Sequence, residues 1–354
     1  LCQKLLPVGI LSLICVCMIT GDAAITPVSA EPAKVKIRAG ENSGEATAIL
    51  DPLSERFAKK DTTEVPDFQK HVIPLLSRMG CNGRACHGSF QGRGGFQLSL
   101  FGYDFKADHD ALLDEATGRV DVDDVAESLM LSKPSDAEVH EGGKRFDKGT
   151  WQHHVLQRWI EAGALYDSKA IRELDRVDVS PAEIVFRDKN EIVNLTAVAH
   201  WKDGTSEDVT ALCRFSSNND AIADIDDTGR ITSGDRGDTH VVVYYDKAVV
   251  PVPVLRPVGI PTLSKAAESK HSIDRLVQQK LDKLGIVASG ICTDSEFIRR
   301  ASLDITGILP DANTVREFLA DDSPLKREHL IDRLLDSPGY AAWWATRFSD
   351  WTRS

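Results

Sequence analysis

"MGCNGRACHGSFQGRGG", residues 79–95, decides how the rest of the chain is read. It holds Cys81, Cys86 and His87 in a C-x4-C-H arrangement. Two thiols followed at once by an imidazole form the pattern that attaches a c-type haem, although the usual form is C-x-x-C-H. The thiols add across two vinyl groups, and the histidine just after the second thiol binds the iron. Adjacency of Cys86 and His87 fixes that ligand. The gap before it only has to let the first thiol reach its vinyl group. With Gly83 and Ala85 inside, a four-residue gap can bulge without a clash. Two other readings stay open at this point. Cys81 and Cys86 can form a local disulfide, with a modest gain from so short a loop. Alternatively, Cys81, Cys86, His87 and His140 can supply the four ligands of a zinc site.

Upstream, Phe68, Val72, Leu75 and Leu76 have helical spacing, and Pro74 is expected to end or kink that helix. Order is expected to resume at Phe68, after a charged, Gly/Ser/Thr-containing linker over residues 31–65. Seven glycines between Gly80 and Gly102 make that stretch loop. Downstream, short helices are expected over Ala107–Ala116 and Ser128–Leu131. "WQHHVLQRWIEAGA" (151–164) places Val155, Leu156, Trp159 and Ile160 on one helix face, with Thr150 to cap it and Gly163 to end it.

The pattern then changes. "EIVNLTAVAH" (191–200), "AIADID" (221–226) and "HVVVYYDKAVVPVPV" (240–254) are rich in β-branched and aromatic residues, with turn signals between them. Such short strands predict a small β-sandwich, and Pro251 and Pro253 point to an edge strand. From about residue 271 the period is helical again. Ile273, Leu276, Val277, Leu281 and Leu284 mark one helix, and Thr293 with Glu296 reads as a capping box before the next. Further helices are expected from Asn313, after Ser323-Pro324 and after Ser337-Pro338. The sequence stops in the last of these with Trp343, Trp344 and Trp351 in hand, so a fragment of a longer protein is expected.

At 354 residues, two or three domains are expected, at ~100–200 residues each. The net charge of -12 gives no clustered basic surface for a phosphate backbone, which argues against nucleic acid as partner. Residues 1–30 read as an export signal: Lys4, then an apolar run from Leu5 to Ile19, then small residues at Val28-Ser29-Ala30. The run is shorter than the ~20 residues of a spanning helix. Leu1 in place of a methionine implies missing residues or an unusual start codon. Three of the seven cysteines, Cys2, Cys15 and Cys17, lie in that signal; Cys213 and Cys292 read as buried single thiols.

"VIPLLSRMGCNGRACHG" followed by "GRGGFQLSLFGYD", with the later "VHEGGKRF" and "LQRWIEAGA", resembles the cytochrome c-like module of planctomycete-type secreted proteins. "DGTSEDVTALCRFSSNNDAIADIDDTGRITSG" is similar to a group 2 bacterial immunoglobulin-like domain. "IDRLVQQKLDKLGI", "FIRRASLDITGILPD" and "LIDRLLDSPGYAAWWATRFSDW" resemble the start of the uncharacterised helical domain that accompanies such cytochromes. The resemblance spans residues 66–354. It implies an all-α cytochrome c-like haem domain over 66–168, an all-β immunoglobulin-like sandwich over 175–256, and an incomplete all-α domain over 270–354. It also implies one covalent haem c on Cys81 and Cys86, with His87 as proximal iron ligand. The loop that usually carries a distal methionine reads "SDAEVHEGGKRF", so His140 is expected as sixth ligand, then Met130, then His153 or His154. Two imidazoles set a lower potential than His/Met. Arg93, Lys144 and Arg145 are candidates for the haem propionates, and Phe96, Leu98, Leu100 and Phe101 for its cover. His71 is expected on the surface.

The function so implied is one-electron transfer by an exported protein, with an unknown redox partner. The competing reading is an envelope protein whose immunoglobulin-like module contacts a glycan or another protein, with Cys81 and Cys86 purely structural. The common nucleophile, zinc-hydrolase and phosphate-loop motifs are absent from the sequence. Asp121, Asp123 and Asp124 lack the closing glutamate of a calcium loop and read as a solvated loop.

Overall fold

In the computed structural model the described residues are 48–170, 172–260 and 271–352. The expected export signal, and the expected linker up to residue 47, lie outside them. Order begins well before Phe68. Helix α1 (Leu53–Arg56) fully buries Leu53, and Phe57 follows it into the core. Leu50 pairs with Glu207 of the β region. Two large apolar residues four apart in a polar stretch are one face of a helical turn, and a linker has no use for them.

Phe68–Val72 forms one wide π-helical turn that runs into α2 (Ile73–Arg78). The Asp67 carboxylate accepts the N–H groups of Gln69 and Lys70, each at 2.9 Å. Pro74 does not end the helix. It lies in the first turn of α2, where its missing N–H costs little, and the wide turn before it takes up the misfit. Helices α3 (Phe105–Leu112), α4 (Leu129–Ser132) and α5 (Trp151–Glu161) follow. Helix α3 starts two residues earlier than its periodicity suggests, because Asp104 accepts the Ala107 N–H at 3.0 Å. On α5, Val155, Leu156, Trp159 and Ile160 are all fully buried. Thr150 stands at its N-cap, but its hydroxyl donates to the Asp147 carbonyl at 2.8 Å rather than to the helix. Trp159 stacks on Phe68 with ring centroids 5.3 Å apart, and its indole N–H donates to the Leu165 carbonyl at 3.0 Å.

Ten strands lie between residues 174 and 256: β1 (Leu174–Ser180), β2 (Ile184–Val185), β3 (Ile192–Asn194), β4 (Thr196–Trp201), β5 (Ser206–Asp208), β6 (Arg214–Ser217), β7 (Ala223–Ile225), β8 (Arg230–Ser233), β9 (Gly237–Tyr245) and β10 (Ala248–Arg256). They form sheets ordered β1-β4-β5, β2-β10-β9-β6 and β3-β8-β7. The apolar run 240–254 is not one strand. It folds at Asp246-Lys247 into the β9–β10 hairpin, with Tyr245 opposite Ala248 and Asp246 at φ 49°. Neither residue is glycine, so the turn carries little sequence signal. Pro251 and Pro253 share the parity of Leu255, whose carbonyl accepts the Phe186 N–H, away from β9. Their lack of N–H therefore falls on the side of β10 that β2 covers only at Val254 and Leu255.

One apolar core runs without a break from Leu53, Leu75 and Trp159 to Val243 and Val254, so the expected segments 66–168 and 175–256 pack in a single compact unit. The joint is polar and buried. Glu207 on β5 accepts from Arg56 and, at 3.0 Å, from His71. Lys70 binds Asp203 at 3.1 Å and Thr205 at 2.7 Å and lies 4.1 Å over the Trp201 ring. The Tyr245 hydroxyl donates to the Lys70 carbonyl at 2.7 Å.

Among the described residues of the second unit the elements are helices: α6 (Ser272–Leu284, its last two residues grouped with the first unit), α7 (Asp294–Thr306), α8 (Ala312–Ala320), α9 (Lys326–Leu335) and α10 (Pro338–Thr352). The capping box forms as expected. Thr293 accepts the Glu296 N–H, and the Glu296 carboxylate accepts the Thr293 N–H at 2.8 Å. Phe297, Ile298, Ala301, Phe318, Leu330 and Ile331 make its core. Asp294 holds Lys326 and Arg327 across α7 and α9. Arg299, Arg300, Asp304 and Asp332 are exposed on their helices. Among the described residues, no helix is long and apolar enough to cross a membrane. The chain is thus multidomain, with a β region over 174–256 and a helical carboxy-terminal part.

Candidate functional site

The C-x4-C-H stretch continues from α2 as a chain of tight turns. Cys81 N–H donates to Leu76 at 2.9 Å, Cys86 N–H to Gly83 at 3.0 Å and Gly88 N–H to Gly83 at 3.1 Å. The His87 N–H closes the set on the Cys81 carbonyl at 2.9 Å. The two extra residues are therefore wound into the turns rather than thrown out as a bulge. Gly88 is required here, because a Cβ on it would sit 2.0 Å from the Asn82 carbonyl oxygen.

Cys81, Cys86, His87 and His140 all line one cleft, with about 1140 Å³ of empty space counting its open mouth. Leu76, Phe96, Leu98, Leu112, Phe146 and Leu156 give it apolar walls, and Met130 of α4 also reaches it. Cys81 and Cys86 are free thiols. Burial pushes the Cys81 thiol up to about 12, against the pull of nearby Arg145.

The imidazole hydrogen bonds fix which nitrogens carry lone pairs. His87 Nδ1 is 3.0 Å from the Phe96 carbonyl oxygen, and His140 Nδ1 is 2.7 Å from that of Gly143. A carbonyl only accepts, so each Nδ1 is the donor and each neutral ring keeps its lone pair on Nε2. Burial lowers the pKa of His87, which favours that neutral form. The Gly143 N–H returns a bond to the His140 carbonyl at 2.7 Å, and a Cβ on Gly142 would press on the His140 ring at 2.7 Å.

The other candidates lie elsewhere. His71 is buried, not on the surface. Its Nδ1 accepts the Asp67 N–H at 2.9 Å, so Nε2 carries the proton given to Glu207. His154 is buried too, with Nδ1 donating to the Phe57 carbonyl at 2.9 Å; neither His153 nor His154 lines the cleft. Phe96 and Leu98 are buried in its wall, whereas Leu100 and Phe101 are about 40 % exposed and outside it. Phe101 instead carries the Arg214 guanidinium 4.1 Å over its ring. Arg93 and Arg145 line the cleft, but Lys144 turns to Asp147 at 2.6 Å. The Asp121 carboxylate accepts the N–H groups of Asp123 and Asp124, which makes it a loop cap. Cys213 is a buried free thiol, whereas Cys292 is half-buried and disulfide-bonded, not the buried single thiol expected. Among the described residues no group of three or more His, Cys, Asp or Glu side chains is placed to hold a metal ion, so the four zinc ligands do not converge. Arg119 and Lys133 also line the cleft. Periodicity gave no hint of either, and no local motif marks them in the sequence.

Residues 272–354 match the family described as "PSCyt2: Protein of unknown function (DUF1549)". No curated protein matches. Among solved structures, one match is the "Structure of the S-layer protein SbsC, domains 5-6", at 16 % identity and a TM-score of 0.22. It covers 26 % of this chain, and this chain spans about half (48 %) of that one.

Proposed function

We propose that residues 66–168 form a cytochrome c-like domain that holds one covalent haem c and passes single electrons. The reading is supported above all by one juxtaposition: two thiols and two imidazoles share a cleft with apolar walls, and both imidazoles keep Nε2 free. Each ring is oriented by a backbone carbonyl at Nδ1, the support that metal-binding histidines commonly have. When bound, the haem supplies the one-electron chemistry. The protein holds it through Cys81 and Cys86, offers His87 and His140 to the iron, and excludes water with Phe96, Leu98 and Leu156. Two imidazoles favour a lower potential than His/Met. The β region, as a bacterial immunoglobulin-like module, would present this domain on an exported protein, in the periplasm or at the cell surface, to a redox partner not yet known. The matched family gives no activity to the helical part.

Intact mass under denaturing conditions tests this. Protein exported by a host with haem-attachment machinery should exceed its polypeptide mass by one haem and show sharp c-type bands on reduction. A mass equal to that of the amino acids alone refutes the reading. His140→Ala should keep the haem and alter the low-spin spectrum; an unchanged spectrum would move the sixth ligand to Met130.

A further inference from the structure

The cleft is cationic in an acidic chain. Arg93, Arg119, Lys133 and Arg145 line it against one carboxylate, Glu141. The whole chain carries -12. Among the described residues, none of these four cations has a carboxylate ion-pair partner. Arg93 and Arg145 are exposed and can be left to water, but Arg119 is half-buried with an unpartnered Nε, and such a cation calls for an anionic occupant.

Their positions differ. Arg145 Nη2 is 4.0 Å from Cys86 Sγ, so this cation stands at the thiol end. Arg119 stacks 4.6 Å over the Phe96 ring, the same ring that packs against His87 at 4.9 Å. Its Nε is buried with no hydrogen-bond partner. Burial alone lowers its pKa, with no carboxylate nearby to raise it. A porphyrin carries its vinyl groups on one edge and its two propionates on the opposite one. Thiols joined to the vinyl edge leave the carboxylates for a cation away from Cys86, which disfavours Arg145. Of the other three, Arg93 is exposed, and only Arg119 combines a buried, unpartnered Nε with stacking on a wall ring of the cleft.

We infer that Arg119 is the positioning residue for the carboxylates of the cleft's ligand, pairing its guanidinium with a haem propionate. This rests on the reading given under Proposed function. A guanidinium matches a carboxylate with two parallel N–H bonds, and its plane is already held by Phe96. A fixed cation beside the haem stabilises the electron-rich reduced state and keeps the propionate ionised.

The test is a redox titration of the holoprotein from pH 5 to 9, with wild type, Arg119→Gln and Arg119→Lys. Arg119→Gln should lower the midpoint potential and shift the redox-linked ionisation to higher pH, because the propionate loses its cation. Arg119→Lys, which keeps a charge, should restore most of both. A haem-loaded Arg119→Gln with the wild-type potential and pH profile overturns this inference and leaves the haem reading standing. Should Arg119→Gln yield no holoprotein, a fall in Arg119→Lys as steep as loss of the charge predicts would equally overturn it, since stacking rather than charge would then be at work. A wild-type chain without covalent haem overturns both.

Discussion

Glu207→Ala tests whether the helical segment and the β region are one cooperative body. Glu207 is 2 % exposed and accepts from Arg56 of α1 and from His71 of the π-helical turn, elements 151 and 136 residues away. Removing it leaves the His71 Nε2–H as a buried donor without an acceptor, a loss of about 1–3 kcal/mol. Breaking a buried charged pair costs up to about 3–5 kcal/mol, but Arg56 keeps Glu64 as a second carboxylate and is partly in water. The expected net loss is about 3 kcal/mol, on the order of a hundredfold in the opening equilibrium. Amide hydrogen exchange at Val241–Val243, in the middle of β9, reads that opening without interference from the carboxy-terminal helices. Exchange there should speed up on the order of a hundredfold, together with α2 and α5. A change below about fivefold, near 1 kcal/mol, refutes the energetic argument. Acceleration confined to α2 and α5, with β9 unchanged, refutes the single body.

Other outcomes follow from single sites. Burial alone would raise the Asp203 carboxyl, but bonds from the Thr205 hydroxyl and N–H and from Lys70 bring it from 3.8 down to about 2. Its folded pKa is depressed, so its contribution is full above about pH 4 and is lost as pH falls towards 2. Asp203→Asn should therefore flatten the acid limb of a stability-pH curve in that window; an unchanged limb counts against the Lys70 pair. Burial pushes the Cys213 thiol up, and its Sγ donates to the Val209 carbonyl at 3.3 Å. Iodoacetamide at pH 8 should leave Cys213 unlabelled in the native protein and label it on unfolding; labelling at a peptide-thiol rate would contradict its burial. Thr293→Ala removes one half of the capping box and should destabilise the helical part by about 0.5–2 kcal/mol in urea, and Thr293→Ser should recover most of that.

Much of this molecule was legible one stretch at a time. The face of α5, the Thr293 box and the change from helical to strand patterning are written within ten or so residues. In these the partners are chain neighbours, so spacing alone states the geometry. The Asp246-Lys247 hairpin was hidden because its turn lacks the usual glycine. Leu53 and Phe57 passed for linker, since two apolar residues among charges show their purpose only when the core they fill is seen.

The sequence by itself determined the Cys81-Cys86-His87 unit, because adjacency along the backbone is covalent and survives any fold. It also pointed to His140, through its place in a loop. Only the tertiary structure decided that His140 shares the cleft with that unit while His153 and His154 do not. It alone turned both imidazoles so that Nε2 is free, brought Arg119 onto Phe96, and joined His71 and Arg56 at Glu207. The physical reason is common to all of these. Apolar burial, summed over many residues, fixes the backbone. Each long-range polar contact forms only where that burial happens to leave a donor facing an acceptor, and no local pattern in the chain records it.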